Sequence, residues 1–99
     1  MKGWTRDKVD RTQYSQRTEH DGGVTLHLSI YRDGRKWLAD CEVSREGGFV
    51  SLSGMGPVAK RDDAELQCYL AVPHALSALA ALLVAAPTTA GTGPQEGGE

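Results

Sequence analysis

The chain is poor in the residues from which active sites are usually built. Among its 99 residues are two cysteines, three histidines and one phenylalanine. Cys41 and Cys68 stand in no CxxC spacing, so neither a zinc knuckle nor a dithiol redox centre fits, and buried core thiols are expected instead. His20, His27 and His74 fall in a turn, on a strand and near a helix start, and no pair has metal-ligand spacing. Phosphate-binding loops, dinucleotide fingerprints and nucleophile elbows are all missing. The stretch "GGFVSLSGMGP" is rich in glycine but lacks the strand–loop–helix setting and the Lys-Ser/Thr ending of a phosphate cradle. The sequence therefore implies no cofactor and no metal, and a protein that is not an enzyme is the expectation.

A dominant charge of one sign is also missing. The formal net charge is −2, and Glu96 and Glu99 account for it. Nothing in that balance demands nucleic acid. The longest apolar stretch, residues 78–86, falls well short of the roughly 20 residues that cross a bilayer. The opening "MKGWTRDKVDRTQ" has no apolar secretory segment, so a cytoplasmic protein without membrane attachment is expected.

What is present is enough for one small folded domain: 39% hydrophobic and 24% charged residues. Three turn signals, "HDGGV", "YRDGRKW" and "REGGF", recur at spacings of 12 and 13 residues, measured from Asp21 to Asp33 to Glu46. Their glycines supply the positive φ of tight hairpins, so the spacing predicts an antiparallel meander. With Asp33 and Gly34 central, Ile30 opposes Trp37, Leu28 opposes Ala39, Leu26 opposes Cys41 and Val24 opposes Val43, all on one apolar face. The other face then holds His27 opposite Asp40. With Glu46 and Gly47 central, Val43 opposes Val50, Cys41 opposes Leu52, and Phe49 lands beside Ser44. Residues 14–20 read as a polar edge strand, joined through Asp21, Gly22 and Gly23 with Tyr14, Gln16 and Thr18 on the apolar side, or as no strand at all.

Downstream, "SGMGPVAKRDD" reads as a loop. "AELQCYLAV" alternates, with Ala64, Leu66, Cys68, Leu70 and Val72 on one face, and predicts a further strand. Pro73 then suits a helix start and Pro87 a stop. On that helix Leu76, Leu79, Ala80, Leu83 and Val84 share the face directed at the sheet. The fold class expected is α+β: an antiparallel meander of four to five strands with one C-terminal helix packed on the apolar face. Residues 1–12 form a flexible arm, 13–86 the domain, and 87–99 a disordered tail.

Two surfaces remain for contact. Tyr31, Arg32, Arg35, Lys36, Leu38 and Phe49 combine a basic hairpin tip with apolar groups on the open sheet face, which suits a protein partner. The back of the helix, Ala78, Ala81, Leu82 and Ala85, is smooth enough for a second helix, so a homodimer is also expected. The order of strands followed by "LAVPHALSALAALL" resembles the PC4-like layout of single-stranded DNA-binding coactivators. The resemblance implies an apolar helix that pairs the dimer and a sheet that binds single-stranded nucleic acid. Asp40 and Glu42 on the open face repel phosphates and disfavour that alternative. In size and simplicity the chain looks like small phage-encoded inhibitors such as anti-CRISPR proteins, a likeness that rests on no motif. The function expected is a small interaction protein that occupies a partner protein's surface, in a bacterial or phage regulatory or inhibitory (anti-defence) role.

Overall fold

A computed structural model describes residues 2–89. Five antiparallel strands in chain order form one sheet: β1 (Thr5–Arg6), β2 (Gln13–His20), β3 (Val24–Asp33), β4 (Lys36–Arg45) and β5 (Gly48–Val58). A single long helix, α1 (Arg61–Thr89), crosses one face, chiefly over β4 and β5 and less over β3. The α+β class is as the turn spacing predicts.

The β2–β3 and β4–β5 turns pair as the sequence indicates. His20 faces Val24, Thr18 faces Leu26 and Tyr14 faces Ile30. Val43 faces Val50, Cys41 faces Leu52 and Ser44 faces Phe49. The β3–β4 hairpin differs from its predicted register by two residues: Asp33 pairs with Lys36, Ile30 with Ala39, Leu28 with Cys41 and Leu26 with Val43. The loop is Gly34–Arg35, with Gly34 at φ 64° in the first loop position, where a primed hairpin turn needs positive φ. A shift of two keeps every side chain on its face, so the apolar sorting survives while the partners change. His27 accordingly opposes Glu42, not Asp40.

The segment expected to be a loop continues β5 as far as Val58, with register shifts beyond Cys41 that bring Met55 opposite Ala39 and Val58 opposite Trp37. Gly56 makes this possible. At φ 105° a Cβ there would lie 3.2 Å from the Trp37 carbonyl oxygen and 3.1 Å from the Val58 nitrogen.

The largest correction concerns residues 64–72, which are helix and not strand. Alternation over nine residues cannot separate the two periods, and here local chemistry favours the helix. Asp62 and Asp63 sit in the first turn, where carboxylates complement the helix dipole. "AELQCYLA" holds strong helix formers and no β-branched residue. Pro73 thus lies inside the helix, where it removes one N–H from the bonding ladder. Pro73 and Tyr69, whose carbonyl loses that donor, are both exposed, so water can satisfy it. The helix also runs two residues past Pro87.

The earlier helix start rotates the buried stripe away from the predicted one. Ala64, Cys68, Ala71, Ala75 and Leu79 are buried against Leu28, Ile30, Ala39, Cys41 and Val43. Val72 and Leu83 are half-buried, whereas Leu76, Ala80 and Val84 are exposed. The stripe is mostly alanine and cysteine, so the helix backbone rides close to the sheet and the larger core side chains come from the strands. Ile30 and Val43 each contribute about 1.5–3 kcal/mol by burial.

The N-terminal arm folds back on this frame. Thr5 pairs with Ser15 and Arg6 with Tyr14. The Asp7 carboxylate accepts the Val9 and Asp10 N–H groups at 2.7 Å each, closing the turn into β2. Residues 90–99, which include most of the expected disordered tail, lie outside the described residues.

Candidate functional site

The face of α1 turned away from the sheet is the most unusual surface of the protein. No Asp, Glu, Lys or Arg occurs in residues 66–84. Leu66, Leu70, Pro73, Ser77, Ala80 and Val84 are all exposed. Their spacing alternates between four and three residues, the repeat that keeps one seam on one side of a helix. On a helical wheel this seam lies about 180° from the buried stripe. Leu66 is 53%, Leu70 58% and Val84 75% exposed, so the seam is wet over its whole length. A helix packed on a sheet normally turns charged residues outward. Here both sides are apolar, and the most apolar 18-residue stretch within Arg61–Val84 has a mean hydropathy of 1.6.

The seam is bounded at its N-terminal end and along both flanks. At its N-terminal end stand Asp62, Asp63 and Glu65. Along one flank Tyr69 is held by the arm: the Trp4 indole N–H donates to the Tyr69 hydroxyl at 3.0 Å, and that hydroxyl donates to Glu65 at 3.1 Å. Burial is the main cause that raises the Tyr69 phenol above its ordinary pKa. Further along, Leu76 joins His20, Asp21, Val24 and Leu26 around a cleft of about 300 Å³. On the other flank Leu70, Ala71, Gln67 and His74 meet Leu52 and Met55 around a cleft of about 280 Å³.

The first turn of α1 is anchored by a cluster of rings and guanidinium groups. Arg61 donates to the Tyr14 hydroxyl at 3.2 Å and lies 5.2 Å from the Tyr14 ring centre; Arg6 lies 5.6 Å from the same ring. Trp37 meets Tyr14 at 6.3 Å between centroids. These contacts fix where the seam begins.

The residues expected to form a tip-and-face surface do not gather. Tyr31, Leu38 and Lys36 share the open face near the β3–β4 turn. Arg32 pairs with Trp37 and so belongs to the helix side of the sheet, while Arg35 lies in the turn. Phe49 pairs with Ser44, about 20 Å along β4 from Leu38 by strand rise. Between them the open face is polar. Asp40 accepts the Tyr31 hydroxyl at 3.1 Å and the Gly54 N–H at 2.8 Å. Burial and then the Asp40 charge raise the Tyr31 phenol.

The expected helix back fares differently residue by residue. Ala81 is exposed beside the seam, whereas Ala78, also exposed, lies on the helix side nearer the buried stripe. Leu82 lies toward the sheet end: a Cβ on Gly48 would come within 3.2 Å of its Cδ2. The side chain of Ala85 lies outside the described residues. Sequence reasoning missed Leu66 and Leu70 because they were assigned to a strand, although the absence of charge in residues 66–84 was visible as a signal.

Cys41 and Cys68 are both buried and free. Cys68 points its thiol at the Ser29 and Asp40 carbonyls, at 3.5 and 3.4 Å. Burial, with Cys41 close by, pushes its pKa up to about 12, which leaves it unreactive. Among the described residues no three His, Cys, Asp or Glu side chains converge as a metal site requires. No family model matches this chain, and neither a curated protein nor a solved structure matches it. The strand-then-proline-then-helix order behind the PC4-like resemblance is also lost, because residues 64–72 are helical.

Proposed function

We propose that this is a small non-enzymatic interaction protein that binds a partner protein through the outward face of α1. One observation carries the reading: the uncharged, exposed seam of Leu66, Leu70, Pro73, Ser77, Ala80 and Val84, set opposite the buried stripe. Leu66, Leu70 and Val84, each at least half exposed, forgo part of the about 1.5–3 kcal/mol that full burial of such a side chain returns. A seam with four-and-three spacing is the shape that a helical protein surface fills. Acting by occupying a partner's surface fits a regulatory or inhibitory role. The basic hairpin tip is a weaker basis for nucleic-acid binding, because Arg32 lies on the helix side and Asp40 and Glu42 occupy the open face.

A photo-crosslinking residue at Ser77, in the cells that make the protein, tests this. The expected result is an adduct of defined mass from Ser77 and none from Ser51 on the open face. Adducts from Arg35 alone would move the contact surface to the hairpin tip and refute the seam.

A further inference from the structure

We propose that the partner on the α1 seam is a second copy of this chain, docked antiparallel, helix to helix. This rests on the reading of the seam as a protein-contact surface. Three observations select the occupant and its direction.

The first is composition: residues 90–99, "AGTGPQEGGE", carry no large apolar side chain to match the seam. The second is charge. The seam offers no charge from residue 66 to 84, so an uncharged surface complements it, and a second seam is one. The acidic end, Asp62, Asp63 and Glu65, repels anionic lipid and phosphate, which disfavours a membrane or a nucleic acid there. It also sets direction. Parallel docking would stack two acidic first turns, whereas antiparallel docking places them at opposite ends and opposes the helix dipoles.

The third is shape under a two-fold axis. With the axis near residue 75, Leu66 meets Val84, Leu70 meets Ala80 and Pro73 meets Ser77. Each leucine is matched by a smaller residue, and the small centre lets the backbones approach. An isologous contact needs this self-complementarity. By helix rise the seam is about 28 Å long. With flanking Leu76 and Ala81 its footprint is roughly 400 Å² per copy, about 800 Å² in total, in the range of weak, transient contacts, so a weak, concentration-dependent dimer is expected.

Sedimentation equilibrium of the full chain from micromolar to about 1 mM tests the pairing. The wild type is expected to dimerise. Ala80→Glu and Leu70→Glu, each placing a charge on the seam, are expected to weaken the dimer at least about 100-fold while keeping the wild-type circular dichroism. Ser51→Glu, on the open face, is expected to leave it intact. Spin labels on Asp62→Cys, with Cys41 and Cys68 buried and silent, are expected to lie about 40 Å apart in the dimer; parallel docking would bring them to about 10 Å. A wild type that stays monomeric throughout, a dimer indifferent to both seam charges, or the short label distance would each overturn the proposal. A monomer that still crosslinks from Ser77 to another protein would overturn the second copy alone and leave the seam as a protein-contact surface.

Discussion

Trp4 and Tyr69, 65 positions apart in sequence, are joined by an indole-to-hydroxyl hydrogen bond of 3.0 Å and meet edge to face at 6.3 Å. This contact ties the N-terminal arm to α1 beside the seam. Trp4→Ala is expected to cost about 1–2 kcal/mol, since it removes both the packing and the bond. Tyr69→Phe keeps the ring and is expected to cost less than about 1 kcal/mol. Urea titrations that gave the two variants equal losses would show that the packing contributes nothing.

Close approach of helix and sheet depends on small side chains. Ala75 is fully buried in the stripe, whereas Ala80 is exposed on the seam. Ala75→Leu is expected to destabilise by about 1–3 kcal/mol through overpacking. Ala80→Leu in dilute protein is expected to change stability by less than about 0.5 kcal/mol. Equal effects would contradict the rotation of α1 described above.

Asp40 joins β3 to the irregular part of β5 by accepting from Tyr31 and from the Gly54 N–H. Asp40→Ala is expected to cost about 1–2 kcal/mol, and Tyr31→Phe about half of that, because the Gly54 bond remains. Hydrogen exchange should locate the loss: the Gly54 amide is expected to speed up in Asp40→Ala and to stay slow in Tyr31→Phe.

The buried thiols give stability a particular alkaline limit. Cys68 has an ordinary pKa of 9.0 and a folded value pushed to about 12, and burial raises Cys41 in the same direction. Below pH 9 both folded and unfolded chains keep these protons, and pH has no effect through them. Above it the unfolded chain loses them first, so the folded state binds more protons and stability falls as pH rises. The urea midpoint is expected to decline from about pH 9 upward, and less steeply in Cys68→Ala. A midpoint that rose over that range would contradict the burial of both thiols.

Much of the sheet could be read directly. Asp21-Gly22-Gly23 and Glu46-Gly47 mark turns whose pairings are those observed, because the short loop at Glu46-Gly47 brings Val43 opposite Val50 and Cys41 opposite Leu52. At Asp33-Gly34 two registers differing by two residues sort the faces equally well. There the turn decided, with Gly34 and Arg35 in the loop. The helix was half legible. Pro73 read as a start because prolines rarely lie inside helices, and the alternation before it mimicked a strand. That single misreading hid Leu66 and Leu70 and turned the remaining leucines to the wrong side. Phe49 and Tyr31 both lie on the open face, as the alternation predicts, but alternation carries no information on the length of β4 that separates them. The seam emerged only when helix start and sheet contact were both known.

The central claim, that the outward face of α1 is covered by protein, is open to a thiol footprint. With Cys41 and Cys68 buried, Ser77→Cys and Ser51→Cys each add one accessible thiol. Maleimide labelling is compared in the cells that make the protein and in dilute purified protein. The account predicts that Ser77→Cys labels at least about 10-fold more slowly in cells than when diluted, while the Ser51→Cys ratio stays near one. Equal ratios at the two positions would show the face uncovered and contradict it.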